Sequence, residues 1–141
     1  MATTRQAHTV WEGNLIEGKG VVTFDSSGIG DYAVSWPSRA EKANGKTSPE
    51  ELIAAAHSSC FSMALSNGLT TAGNAPTRLN TQAEVTFQPG TGITGIHLTV
   101  QGEVPGLDEA GFVKAAEDAK ANCPVSQALT GTTITLTASL V

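Results

Sequence analysis

Two cysteines, Cys60 and Cys123, are the side chains of this sequence best suited to carry out chemistry. A cysteine thiolate is a strong nucleophile that can be oxidised to a sulfenic acid and then closed to a disulfide by a second thiol. A free cysteine among apolar residues is, however, commonly a packing residue. Because the two lie far apart in the sequence and no C-x-x-C spacing occurs, only the fold decides between a redox pair and two packing residues.

The neighbours of each cysteine leave both possibilities open. Cys60 lies in an Ala- and Ser-rich segment whose small side chains leave space beside the sulfur, and His57 precedes it by about one helical turn. Cys123 is followed by Pro124, a residue favoured at the first position of a helix. The free N–H groups and the dipole of such a helix start would lower the pKa of the Cys123 thiol.

Arg39 and Glu50 are the charged residues that could assist a thiolate. A guanidinium stabilises a thiolate and donates hydrogen bonds to a peroxide oxygen, although a loop arginine is more commonly a solvated charge. Glu50 is the natural partner of Arg39, but Glu50 and Glu51 could equally complement a helix N-terminus. On one straight helix Glu50 and Cys60 would be separated by about 15 Å. They can therefore meet only if the helix bends or if two copies of the chain pack together.

The three histidines predict neither a general base nor a metal site. His57 is expected to be satisfied by a backbone group or by a second copy of the chain. His8, His57, His97 and the two cysteines show none of the short spacings found in zinc sites. We therefore expect no metal site.

The longest predicted element is a helix from Pro49 to a stop at Gly73. Ser48 is a suitable N-cap, and Glu51 completes the spacing of a capping box. The segment Leu52–Leu65 is apolar on nearly every face, as in a helix that is buried on all sides. One thin sheet cannot bury such a helix, so the pattern predicts a homodimer.

Short alternating runs on both sides of this helix predict strands, and no repeat or linker divides the chain. The predicted strands are 7–11, 20–24, 32–36, 83–87, 96–100 and 133–140, with a polar loop over 38–47 and a helix over 109–121. We expect a single α+β domain over residues 1–141, with antiparallel sheets around one long buried central helix.

Composition excludes several classes of protein. The net charge is −5 and no Lys/Arg cluster occurs, which disfavours nucleic-acid binding. No apolar run approaches the ~18 residues of a membrane span, and the first residues lack the apolar core of a signal peptide. The expected location is therefore cytoplasmic.

Two motifs resemble those of one known family. The run SPEELIAAAHSSCFSMALS, residues 48–66, resembles the signature helix of the OsmC/Ohr family, in the form typical of the osmotically inducible protein C branch. The run CPVS, residues 123–126, is similar to the second-cysteine motif of that family. The resemblance covers essentially the whole chain.

This resemblance implies an intertwined homodimer with active sites shared between the subunits. It implies that Cys60 is the peroxidatic cysteine and Cys123 the resolving one. It also implies that Arg39 stabilises the thiolate and that Glu50 orients the arginine, both from the partner subunit. The implied activity is reduction of organic hydroperoxides through a sulfenic acid and a disulfide in stress defence, with a lipoyl-type dithiol as the reductant. The implied mechanism needs no cofactor, neither a metal nor a flavin nor a nucleotide.

Further expectations concern substrates and rival functions. Four apolar residues near the cysteine, Leu52, Phe61, Met63 and Leu65, would favour alkyl hydroperoxides over hydrogen peroxide. A dithiol–disulfide oxidoreductase is disfavoured because C-x-x-C is absent. A non-catalytic dimeric protein that binds a small ligand, with both cysteines as packing residues, remains the alternative.

Overall fold

The computed structural model describes all 141 residues. The chain divides into two compact units, Met1–Leu52 and Ile53–Val141. No helix combines the length and the apolar character needed to cross a bilayer.

The first unit contains a three-stranded antiparallel meander, as predicted. Its strands are β1 (His8–Glu12), β2 (Lys19–Thr23) and β3 (Asp31–Val34), in the order β1-β2-β3. The strand predicted to reach Trp36 ends earlier, because a short helix, α1 (Trp36–Ala40), begins there. The Ser35 hydroxyl accepts the Ser38 N–H at 3.2 Å and the Ser38 hydroxyl accepts the Ser35 N–H at 3.0 Å. This reciprocal cap makes the start of the predicted polar loop helical.

The long helix, α2 (Pro49–Thr71), begins and ends where its sequence predicts. The Ser48 hydroxyl accepts the Glu51 N–H at 3.1 Å, so Ser48 is the N-cap. The reciprocal bond of the capping box is replaced, because the Glu51 carboxylate accepts the Thr47 hydroxyl at 2.6 Å. At the other end Gly73 has a φ of +91°, a left-handed conformation that glycine adopts without strain.

The second unit holds a mixed sheet and two further helices. Its elements are β4 (Arg78–Gln88), β5 (Gly92–Glu103), α3 (Glu109–Asn122), α4 (Pro124–Ala128) and β6 (Ile134–Leu140), with sheet order β4-β5-β6. The α+β class is confirmed, but the prediction of wholly antiparallel sheets is wrong, since β6 pairs in parallel with β5. The connection through α3 and α4 returns the chain to the sheet in the direction of β5, as helical crossovers do.

One face of α2 packs on this sheet. The buried core combines Phe61, Leu65 and Leu69 of α2 with Ile96, Leu98 and Val100 of β5 and Phe112, Ala116 and Ala119 of α3. Met63, on another face of α2, is 72% exposed. Within one chain α2 is thus buried along a stripe and not on every side, so its full burial stays a prediction that requires a second copy.

Candidate functional site

The fold brings the two cysteines together although they are 63 positions apart. Cys60 lies in the middle of α2, and Cys123 is the residue that ends α3 and begins α4. Their Sγ atoms are 3.0 Å apart, and both thiols are free. A disulfide bond is about 2.05 Å long, so the sulfurs need to approach by only about 1 Å to close one.

Backbone hydrogen bonds fix the position of Cys123. Its N–H donates to the carbonyl of Ala119 at 2.8 Å, which closes the last turn of α3. Its own carbonyl accepts the N–H of Gln127 at 3.0 Å, which opens α4. Pro124, as predicted, is the first residue of that helix. Cys123 is completely buried whereas Cys60 is half-buried, so Cys60 is the more accessible sulfur of the pair.

The environment moves the pKa values of the two thiols in opposite directions. Burial, and then the hydrogen bond with Cys123, raise the pKa of the Cys60 thiol. Burial also pushes the pKa of Cys123 upward, but hydrogen bonds from Cys60, Ser126 and Val125 outweigh it and leave that pKa lowered. The lowered pKa of Cys123 agrees with its predicted place at a helix start. The thiol of Cys123 is therefore ionised more readily than that of Cys60.

His57 and Ser126 extend the thiol pair, and the sequence did not identify them as a pair. The Nε2 atom of His57 lies 2.7 Å from the hydroxyl oxygen of Ser126, and both residues are buried. The sequence predicts a backbone group or a second copy of the chain as the partner of His57. That prediction is wrong, because the partner is the side chain of Ser126 in the same chain. The only sequence signal for this pair is the serine two positions after Pro124. The sequence near either residue does not indicate that α4 packs against α2.

Arg39 and Glu50 form the second constellation, and it lies in the first unit. The Arg39 Nε donates to both carboxylate oxygens of Glu50, at 2.8 and 3.2 Å. The Glu50 side chain is 8% exposed and that of Arg39 is 30% exposed. The acid therefore holds the guanidinium in one orientation. That this pair lies beside the cysteine sulfurs of a second copy stays a prediction.

A cavity of about 250 Å³ adjoins Arg39 within the first unit. Its walls are mainly apolar and include Trp11, Leu15, Val22, Trp36 and Leu52. Phe61 and Leu65, which were expected to contact a substrate, are instead fully buried in the core of the second unit. Of the four residues predicted to favour alkyl substrates, Leu52 is the one that lines this cavity.

The chain contains no group of three or more His, Cys, Asp or Glu side chains placed to hold a metal ion. The chemistry that the described residues support is therefore that of two adjacent thiols and, separately, of a carboxylate-bound guanidinium beside an apolar cavity.

Comparisons with known proteins agree in family and in fold. A family model described as OsmC-like protein matches residues 42–138. The chain is 45% identical over 127 residues to the Peroxiredoxin OsmC of Escherichia coli (strain K12), a match that covers 88% of this chain and 87% of that protein.

Two solved structures resemble the fold over nearly their whole length. An OsmC-like protein from Mycoplasma pneumoniae has a TM-score of 0.75 at 14% identity, and 100% of this chain and 99% of that one are covered. An organic hydroperoxide resistance protein from Elizabethkingia anophelis has a TM-score of 0.73 at 25% identity, and both chains are covered completely.

Proposed function

This chain belongs to the OsmC-like protein family, and from that membership we propose that it is a thiol-dependent peroxidase acting on organic hydroperoxides. The enzyme class, peroxidase, follows from its similarity to the peroxiredoxin relative. The substrate class, the mechanism and the assignment of residues are proposed from the geometry of the two constellations.

The distance of 3.0 Å between the sulfurs of Cys60 and Cys123 carries the proposal. Packing alone does not require two thiols from distant parts of a chain to face each other. A peroxidatic–resolving pair does require it, because the second thiol must reach the first once that has been oxidised. The half-buried Cys60 is the peroxidatic cysteine, since the peroxide must reach its sulfur, and the buried Cys123 is the resolving one.

The reaction has two oxidative steps. The Cys60 thiolate attacks the terminal oxygen of the hydroperoxide; the O–O bond breaks, the alkoxide takes up a proton and leaves as the alcohol, and Cys60 becomes a sulfenic acid. The Cys123 thiolate then attacks the Cys60 sulfur, the S–O bond breaks, and hydroxide leaves as water after taking up a proton. The product is the Cys60–Cys123 disulfide.

The enzyme returns to its reduced state by thiol–disulfide exchange. A dithiol of the lipoyl type transfers two electrons to the disulfide and becomes a cyclic disulfide itself. No cofactor is required by this cycle. Since free thiols persist in a reducing compartment, we place the enzyme in the cytoplasm.

Arg39 and Glu50 act on the Cys60 sulfur of a second copy in this proposal. The helix α2 is continuous from Pro49 to Thr71, so its rise separates Glu50 from Cys60 of the same chain by about 15 Å. A raised pKa of Cys60 calls for a cation beside the sulfur, and the oriented guanidinium is suited to supply it. A homodimer with shared sites meets both requirements.

The apolar cavity beside Arg39 supports organic hydroperoxides as the substrates. An alkyl or aryl group would be removed from water there while the guanidinium donates to the peroxide. Hydrogen peroxide has no such group and gains nothing from the cavity. Second-order rate constants for an alkyl hydroperoxide and for hydrogen peroxide test the point, and equal values would refute the preference.

The decisive experiment adds one equivalent of an organic hydroperoxide to the reduced protein. We expect the intact mass to fall by two hydrogen atoms, both thiols to disappear and the alcohol to form. Cys60→Ser should not react, and Cys123→Ser should stop at a sulfenic acid that a dimedone-type reagent traps. An unchanged mass with two titratable thiols would instead favour the non-catalytic binding protein.

A further inference from the structure

The buried His57–Ser126 pair has no part in the mechanism given so far. His57 is 0% exposed and Ser126 is 4% exposed, and the His57 Nδ1 atom has no hydrogen-bond partner. Burying polar groups is costly unless they are paired, so an incompletely satisfied histidine requires an explanation.

The protonation of His57 follows from its surroundings. Burial lowers the pKa of His57, so the ring is neutral and a single nitrogen carries a proton. If that nitrogen were Nδ1, a buried N–H donor would be left without a partner. With the proton on Nε2, that N–H donates to the Ser126 oxygen, and only the acceptor atom Nδ1 is left without a partner. We assign the proton to Nε2 on this ground.

Ser126 then has its own hydroxyl proton available for another acceptor. That acceptor is the sulfur of Cys123. Ser126 is the third residue of α4, which Cys123 precedes as the N-cap, and hydrogen bonding by the Ser126 side chain lowers the pKa of the Cys123 thiol. The contacts therefore run from His57 to Ser126, from Ser126 to Cys123, and from Cys123 to Cys60.

We propose that His57 and Ser126 form a buried hydrogen-bond relay that stabilises the Cys123 thiolate for its attack on the Cys60 sulfenic acid. This inference rests on the peroxidase cycle proposed above. Ser126 acts directly on the attacking sulfur, and His57 is a positioning residue that acts through Ser126.

The burial of Cys123 is the reason such a relay is needed. The sulfur is removed from solvent, so internal donors must replace water around its negative charge. The charged side chains late in α3 pair with each other, Lys114 with Asp118 and Lys120 with Glu117. From α2 Cys60 faces Cys123 directly and His57 faces Ser126, and from α4 Val125 and Ser126 lower the pKa of Cys123 by hydrogen bonding.

Rapid mixing of Ser126→Ala with an organic hydroperoxide separates the two steps. We expect alcohol formation no slower than in the wild type, because Cys123 opposes the ionisation of Cys60 less once its own pKa has risen, and disulfide formation slowed about three- to tenfold at neutral pH. A one-unit rise in pKa removes up to about nine-tenths of the thiolate, while the remaining thiolate becomes a better nucleophile. The Cys60 sulfenic acid should accumulate and be trapped in larger yield.

A titration isolates the effect on Cys123. In a Cys60→Ser background the ultraviolet absorbance of the thiolate reports Cys123 alone, and we expect its midpoint to rise when Ser126→Ala is added. His57→Leu should slow disulfide formation as Ser126→Ala does, whereas His57→Gln, whose amide can donate to Ser126, should restore most of the rate.

Ser62→Ala is the matched control. It removes a hydroxyl from α2 that bonds Thr81 at 2.8 Å and has no contact with the thiol pair, so both steps should keep wild-type rates. Wild-type disulfide formation with an unchanged titration in Ser126→Ala would overturn the relay, and equal slowing by His57→Leu and His57→Gln would remove His57 from it.

The relay remains testable if some of these variants fail to fold. If the His57 variants do not fold, Ser126→Ala alone determines the result. If Ser126→Ala does not fold either, Ser126→Gly takes its place, and an unchanged Cys123 midpoint in that variant would overturn the relay. Failure of the wild-type protein to consume hydroperoxide would refute the peroxidase proposal itself and is distinguishable from all of these.

Discussion

At the scale of single residues, the reactive sulfur lies in surroundings that oppose its ionisation. Burial and the hydrogen bond with Cys123 raise the pKa of Cys60, yet the attack on peroxide needs the thiolate. We therefore predict that Arg39→Gln moves the midpoint of the pH–rate profile for the first step upward. At neutral pH the rate constant should fall about tenfold or more, since each pKa unit changes the thiolate fraction about tenfold.

Adjacent acids provide the control for this prediction. Glu50→Gln should move the midpoint in the same direction, because the guanidinium loses the carboxylate that accepts from Nε at 2.8 Å. Glu51→Gln alters an exposed carboxylate that accepts the Thr47 hydroxyl, and it should leave the profile unchanged. Stopped-flow measurement of alcohol formation across pH checks all three variants. Coincident profiles for Arg39→Gln and the wild type would exclude Arg39 from thiolate stabilisation.

His57 also predicts how stability depends on pH. Burial lowers its folded-state pKa below the ordinary value of 6.5, so the unfolded chain binds more protons once the pH falls below that value. The contribution of His57 to stability is thus complete above about pH 6.5 and declines as the pH falls. Urea unfolding at several pH values should show a flatter decline for His57→Gln than for the wild type. Parallel curves would mean that His57 titrates alike in both states.

The residue types and the pairing of Arg39 with Glu50 were readable from the sequence, whereas the contact between the cysteines and the partner of His57 were not. Cys60, Cys123, Arg39 and Glu50 were all identified, the two cysteines are now seen in contact, and so are the arginine and glutamate. Ser126 was missed as a partner of His57 because the two are 69 positions apart and no periodicity links them. Tertiary packing determines such contacts, and the pattern of residues along a single sequence does not show it.

At the scale of elements, a glycine permits β5 and α3 to approach closely. A Cβ built on Gly102 would lie 2.6 Å from two ring carbons of the fully buried Phe112. Since a packed core cannot easily move an aromatic ring, we predict that Gly102→Ala lowers the free energy of unfolding by about 1–3 kcal/mol. The urea midpoint measures this change.

A second glycine of the same strand is the natural control. A Cβ on Gly95 would meet only the Thr133 carbonyl oxygen at 3.7 Å, an ordinary contact. Gly95→Ala should therefore unfold close to the wild-type midpoint. If the two variants proved equally stable, the packing of Phe112 against Gly102 would have to be looser than the structure shows.

Elements with strong local signals were the ones that could be predicted. The start of α2 has a serine cap and the meander has clean alternation, and both are confirmed. The direction of β6 was not predictable, because alternation identifies the buried face of a strand and not the orientation of its neighbour. The helix α1 was missed because its cap consists of two serines in a run that also alternates like a strand.

At the scale of the whole molecule, the single chain leaves apolar side chains exposed. Val10 of β1 is 57% exposed, Val21 of β2 is 44% exposed and Met63 of α2 is 72% exposed. Isolated exposed apolar residues are common, but these occupy successive strands and the longest helix. A second copy would bury them, which is the basis for keeping the homodimer as a prediction. The single domain over residues 1–141 also stays a prediction, because the chain divides into two compact units.

Met63 gives this expectation a direct test. We predict that the wild type sediments as a dimer at micromolar concentration and unfolds on heating in one transition whose midpoint rises with protein concentration. Met63→Asp, which would place a charge in the buried interface, should shift the protein toward monomer and reduce peroxidase activity, because Arg39 would no longer reach the Cys60 sulfur of the other copy. Val113→Asp, at an exposed apolar position of α3, should leave the dimer intact. A fully active monomer would refute the shared site, and it would require Arg39 and Cys60 of one chain to meet in a conformation in which α2 is no longer straight.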